Sequence, residues 1–175
     1  MTDTAAPARL APGRWTALTD RTSATFAVGN LGVKVVHGSV AVVAGSLDVD
    51  GYGRPVAVRA ELDLRTIDTG IPKRDADLHK PALLDIDAHP VLAFQCTEIR
   101  SDDAGWCADG RLSVRGTSCP LTVTGTVVED SPAGTVHVQG TAVLDRTAIG
   151  LRAPRLMIGR LVTITVDAWL TGPGR

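Results

Sequence analysis

The chain has 175 residues, with 18 basic and 19 acidic side chains and a net charge of −1. That length suits one domain with its own core and no disulfide or metal staples. Charge this evenly scattered offers no single-sign field, so no nucleic acid and no anionic membrane surface is expected as a partner.

The first 14 residues, "MTDTAAPARLAPGR", hold Asp3 and no apolar core of a leader, and read as a loose tail outside a domain spanning 15–170. No segment reaches the length of a membrane-spanning helix, so stable membrane insertion is not expected and a cytoplasmic location is. Strand-like alternation begins at "ATFAV" and continues through "VHGSVAVVAGSLDV", with "GYGRP" as the reversal after it. The clearest period of two lies in "VAVRAELDL", where Val56, Val58, Ala60, Leu62 and Leu64 share a face opposite Arg59, Glu61 and Asp63. "RTIDTGIPKRDADL" then breaks the rhythm. Its apolar residues stop alternating and Asp75 and Asp77 come early, which predicts a short helical insertion near 73–84, limited by Pro81.

Alternation resumes in "VLAFQCTEI", "RLSVRG", "LTVTGTVV", "TVHVQGTAVL" and "RLVTITVDAWL", separated by turn signals at "SDDAG", "GTSCP" and "DSPAG". Residues 171–175 read as a second tail. About eight strands with regular turns and no alternating helices predict an all-β, antiparallel architecture, either a closed barrel or a sandwich. Aromatic residues make up only 3% of the chain, and Gly38, Gly125 and Gly140 fall inside strand-like runs. Small inward residues leave room for an elongated ligand, although bulges and a filled centre give the same pattern.

Reactive chemistry is sparsely signalled. There is no GxSxG elbow, and "GNLGVK" lacks the spacing of a phosphate-binding loop. Cys96, Cys107 and Cys119 are odd in number and widely spaced, which suggests neither disulfides nor zinc, and no metal or cofactor is expected. His37 and His137 have strand phases that point outward or to a rim. His79 adjoins Arg74 and Asp75, the one cluster from which a small-substrate hydrolase or isomerase could be built. Arg74 itself has two readings: a clasp with Asp75, Asp68 or Asp145 that fixes the insertion to the barrel end, which the neighbouring aspartates favour, or a contact with a ligand head group. Asp145 and Arg146 read as a second structural pair at a strand end.

Several stretches in order resemble one family: Trp15 with "TSATFAVGNLGVKVVHGSV", "IDTGIPKRDADL", "PALLDIDAHPVLAF", "GRLSVRGTSCPL" and "LDRTAIGL". Over Trp15 to Leu170 the chain is similar to the YceI-like proteins, described as polyisoprenoid-binding and lipocalin-like. It departs from them at Asn30, where a histidine is usual, at Leu83 and Leu84, where phenylalanines are, and at Ile149. The resemblance implies a single eight-stranded lipocalin-like barrel whose apolar tunnel holds a long-chain isoprenoid, a polyprenyl diphosphate or quinone-like lipid, without covalent chemistry. Its wall would include Phe26, Val28, Val40, Leu62, Phe94, Leu112 and Val138, with Arg74 at the mouth and the helical insertion as a lid. Such barrels also pair through an exposed strand or loop surface, which makes a homodimer an expectation. A filled-core interaction or stress-response module is the non-binding alternative.

Overall fold

The structure is a computed structural model that describes residues 10–30, 34–102, 104–128, 132–152 and 159–173. Nine strands form one antiparallel sheet: β1 (Gly13–Ala17), β2 (Ser23–Asn30), β3 (Lys34–Val49), β4 (Pro55–Asp68), β5 (Val91–Asp102), β6 (Gly105–Val114), β7 (Thr117–Val128), β8 (Thr135–Asp145) and β9 (Leu161–Thr171). Among β2 to β9 each strand pairs with two of the others, β1 adds a further partner to β3 and β9, and β3 pairing with β4 closes the ring. The eight alternating runs of the sequence are these eight strands.

β1 is a ninth strand in name, but it extends β2 in the same ring position. Thr16 lies opposite Ser46 and Ser23 opposite Ala41 on β3, so seven residues on one side span five on the other. The surplus is taken up by a 3-10 turn at Thr19–Arg21. β9 stitches the break: the Trp169 N–H donates to the Thr22 hydroxyl at 3.1 Å, and the Trp169 carbonyl accepts from the Leu18 N–H at 2.7 Å. This strand starts at Gly13 because Trp15 is buried and Arg14 forms a cross-strand ion pair with Asp48 at 2.7 Å. The expected tail boundary at residue 14 therefore falls inside a strand, and Thr171 likewise completes β9; residues 1–9, 174 and 175 are outside the described residues.

The turn expected across "GTSCP" is shorter than read. It is made by Arg115 and Gly116, with φ of 55° and 69°, and Thr117 to Pro120 already belong to β7. Pro120 misleads because proline usually ends a strand. Here it lies beyond the last β7–β8 pair, Val123 with Ala142, so its missing N–H costs no bond to β8.

The insertion between β4 and β5 has one helix, α1 (Pro72–Leu78), with Pro72 at its first turn. The expected helix to residue 84 stops at Leu78, and turns carry Leu84 and Ile86 into the core, Ile86 fully buried. The apolar interior falls into two clusters. One gathers Val40, Leu64, Phe94, Leu112, Leu144 and Ile149; the other packs Trp15, Leu47, Val49, Val136 and Leu170 at the far end.

Inward aromatic rings rest on glycines of neighbouring strands. A Cβ on Gly38 would lie 2.2 Å from the Phe26 ring, and one on Gly125 would lie 2.4 Å from Trp106. These glycines do not simply leave space, as the composition suggested; they hold rings flat against the wall.

Candidate functional site

The barrel wall encloses a cavity of about 380 Å³. Its lining is set by strand alternation: Ala24, Phe26 and Val28 on β2, Leu62 and Leu64 on β4, and Val162, Ile164 and Val166 on β9 all point inward. All eight residues expected at a ligand site line it: Phe26, Val28, Val40, Leu62, Phe94, Leu112, Val138 and Arg74. Leu84 and Ile149, two of the positions where aliphatic side chains replace aromatic ones, are on the same wall. Asn30 ends β2, and its side chain is outside the described residues. The centre is open, so the filled-core reading does not describe this barrel.

Charge on this wall has one sign. Arg74 and Arg146 line the cavity, and among the described residues no aspartate, glutamate or lysine does; Arg59 also borders it, but its exposed side chain belongs to the outward-facing set of β4. Arg74 comes from α1. Its Nε donates to the Thr69 hydroxyl and its Nη2 to the Thr69 carbonyl, both at 2.8 Å. Asp75 grips the same residue from the other side, accepting from the Thr69 N–H at 3.0 Å and from its hydroxyl. Asp68 is engaged elsewhere, accepting from the Gly70 N–H at 2.8 Å. A clasp exists, but it closes on Thr69 and not by direct pairing of Arg74 with Asp75, Asp68 or Asp145. The reason is local: Thr69 is 9% exposed, and its hydroxyl and backbone need partners that only α1 can bring.

Arg146 departs further from its expected role. Asp145 faces outward, accepts from the Thr147 N–H at 3.0 Å to cap a short 3-10 turn (Arg146–Ile149), and pairs with Arg160 at 2.6 Å. Arg146 turns inward and is 2% exposed, donating to the carbonyls of Gly159 and Leu151 at 2.8 Å each. The signal was available. Ala142 and Leu144 face inward, and continuing their period of two by one step places residue 146 inside.

The cluster read as a possible reaction centre does not assemble. His79 Nδ1 lies 2.9 Å from Asp87 Oδ1, while Arg74 and Asp75 are taken up by Thr69. His37 is exposed on the outer face, as its phase predicts. His137 also faces outward, stacked on Trp169 at 4.2 Å between centroids and 2.8 Å from Asp167, with Arg21 on Trp169 at 3.9 Å. Among the described residues, no three His, Cys, Asp or Glu side chains converge as a metal site. The three cysteines are free, and burial pushes the Cys96 and Cys119 thiols up from their ordinary pKa.

A second depression, of about 610 Å³, lies on the outer face between β2, β3 and β9. It is open to solvent, and Thr25, Ser39, Thr163 and Thr165 are among the residues that line it. Only the interior can remove a long apolar chain from solvent.

The model of the YceI-like domain matches residues 15–170. UPF0312 proteins of Yersinia pestis and Yersinia enterocolitica are 27% identical over 100 residues, which is 56% of this chain and 52% of theirs. The chain thus spans about half the length of the curated relatives it matches. Among solved structures, Burkholderia cenocepacia BcnA superposes with a TM-score of 0.75 at 14% identity, over 87% of this chain and 98% of that one. A polyisoprenoid binding domain from Saccharophagus degradans, described as implicated in plant cell wall breakdown, gives 0.66 at 14% identity, over 91% and 98%. The Campylobacter jejuni YceI protein gives 0.66 at 12% identity, over 82% and 88%.

Proposed function

This chain belongs to the YceI-like domain family, and from that premise we propose that it binds and carries a long-chain isoprenoid or similar amphiphilic lipid in its barrel, with no covalent change to the ligand. The observation that carries the reading is the cavity: about 380 Å³ walled by carbon, with arginine as its only charge among the described lining residues. The polyisoprenoid-binding description of the Saccharophagus degradans domain, which shares this fold, agrees with it.

Energetics favour an occupied state. An engineered void costs about 24 cal/mol per Å³, so 380 Å³ left empty represents about 9 kcal/mol, an upper figure when carried over from smaller cavities. That is comparable to the whole stability of an ordinary domain, about 5–15 kcal/mol. Water is a poor filler, since it needs two or more polar partners and this wall offers few. Each buried CH₂ contributes roughly 0.8 kcal/mol, so a few isoprene units suffice for tight binding after association costs.

Arg74 and Arg146 lie at the α1 end, where a polar head group would meet them. Diphosphate and quinone-like heads both accept hydrogen bonds and both suit guanidinium donors. A reducing, cytoplasmic setting is part of the proposal and agrees with three free cysteines.

Native mass spectrometry of gently purified protein, followed by organic extraction, tests the reading. The expected result is a stoichiometric lipid adduct that extraction removes and added isoprenoid restores. A protein that stays lipid-free after incubation with prenyl alcohols, prenyl diphosphates and prenylquinones overturns it.

A further inference from the structure

The cavity is bounded by side chains that have no room to retreat. Rings on its wall lie flat on glycines of neighbouring strands: Phe26 on Gly38, Phe94 on Gly110, and Trp106 on Gly125 and Gly140. A Cβ on Gly110 would come within 2.7 Å of the Phe94 ring, and one on Gly140 within 3.0 Å of Trp106. Each ring already fills the notch its glycine leaves, so it cannot move outward to admit a larger ligand. The floor is closed in the same way. Leu47 and Leu170 of the Trp15 cluster border the cavity there, and a Cβ on Gly45 would lie 2.9 Å from that of Ala17.

Volume and length of this space agree on what fits. An apolar cavity of about 150 Å³ takes one benzene, so each enclosed carbon needs about 25 Å³. At that packing, about 380 Å³ takes about 15 carbons, which is three isoprene units. The inward row of β9 on the wall runs from Val162, at the α1 end, to Ala168 near the floor. That stretch of strand is roughly 20 Å long, or about 15 Å along the axis of a barrel whose strands tilt by about 40°. An extended chain gains about 1.2 Å per backbone bond, as a polypeptide does, so about twelve backbone carbons span it, again three isoprene units. The resulting bore, about 25 Å² in section, takes one chain at carbon contact distances of about 4 Å and is too narrow for a chain folded back on itself.

We infer that the barrel selects its ligand by chain length: it encloses an isoprenoid tail of about three units, its head at the Arg74 and Arg146 end, and rejects tails several units longer. The inference rests on the carrier reading above and narrows it. A longer tail cannot fold back and cannot pass the Trp15 cluster, so every further unit is left in water at the α1 end and gains nothing from burial. A shorter tail leaves part of the void unfilled.

Geraniol, farnesol, geranylgeraniol and octaprenol, prenyl alcohols of two, three, four and eight units, are the probes. They are offered as an equimolar mixture in one mild detergent, and native mass spectrometry reads which mass occupies the protein. Farnesol is expected to exceed geraniol and octaprenol by about tenfold or more, with geranylgeraniol between. Trp106→Ala removes a ring from the wall and is expected to move the preference to geranylgeraniol. Ala168→Leu fills space near the floor and is expected to move it toward geraniol. Occupancy that rises with length up to octaprenol, or a preference that neither folded variant shifts, overturns the inference and leaves the carrier reading standing. If neither the alcohols nor the corresponding diphosphates and quinones enter, the carrier reading falls and this inference with it. Should Trp106→Ala fail to fold, Ala168→Leu and the wild-type series decide.

Discussion

The two ends of the barrel are closed by different forces. At the β1 end, Trp15, Leu47, Val49, Val136 and Leu170 form an apolar plug, and the Trp15 indole N–H is satisfied by the Ala11 carbonyl at 3.0 Å. At the α1 end Leu84, Ile86 and Ile149 pack into the core, but no residue of the helix itself is buried, and α1 is held by hydrogen bonds centred on Thr69, beside those of Arg146 and Asp145 and that of Arg115 to the Leu83 carbonyl. Burial of large side chains contributes several kcal/mol as a unit, whereas a net hydrogen bond contributes about 1 kcal/mol. On the proposed carrier function, the α1 end is therefore the one expected to open without unfolding the barrel. A carrier needs one such end and not two.

The largest effect separating the ends should come from Trp15→Ala. A buried tryptophan truncated in a packed cluster costs about 3–5 kcal/mol, and Trp15 is 6% exposed with its ring against Gly172. Urea unfolding should show a lower midpoint with little change of slope. If this variant loses little stability, the plug is not what seals that end. Next comes Arg146→Met, which keeps the volume but strips the donors from the Leu151 and Gly159 carbonyls. About 2–3 kcal/mol of stability should go, and affinity for a lipid with an anionic head should fall with it.

How much of this asymmetry was legible follows from the same contrast. Alternation revealed β2 to β9 because each has a dry face and a wet face. β1 escaped because five residues with one buried side chain, Trp15, give no period. The cavity wall was legible for the same reason as the strands: inward residues of alternating runs must line whatever the barrel encloses. The clasp was legible in its residues but not in its bonds. Charge invited pairing of Arg74 with a carboxylate, whereas the buried group most in need of partners was the uncharged Thr69. Arg146 was missed because it lies just past the stretch where the alternation is obvious, and the phase has to be carried beyond its own strand signal to reach it.

Thr69→Val tests the gate itself. It removes the hydroxyl that accepts from Arg74 and donates to Asp75, yet keeps the backbone bonds and the shape. Local loosening of about 1–2 kcal/mol should raise the lipid exchange rate roughly tenfold while global stability moves less. Exchange between labelled and unlabelled lipid, followed by stopped flow, measures it. A disulfide staple from α1 to the barrel should slow the same exchange. If the valine variant and the staple both leave the rate unchanged, the lipid passes elsewhere and the contrast between the ends is structural only.

The smallest effect is a pH dependence, and it also distinguishes the ends. Arg160, and then the Thr147 hydroxyl, hold the Asp145 carboxyl below the usual carboxylate range. A depressed carboxyl stabilises the fold above its unfolded value of about 3.9, and that contribution fades as pH falls through the lower folded value. The Tm difference between wild type and Asp145→Asn should therefore be flat from about pH 8 to pH 5 and shrink below about pH 4. Arg14 lowers the Asp48 carboxyl in the same sense at the other end, so Asp48→Asn should show a similar thermal profile. Lipid exchange should separate the two variants. Protonating Asp145 loosens the cap on the turn that carries Arg146 into the cavity, so exchange should quicken in Asp145→Asn at neutral pH. Asp48 lies on the outer face over a plug that stays apolar, and its variant should exchange lipid at the wild-type rate. Equal acceleration in both would mean that the barrel breathes as a whole.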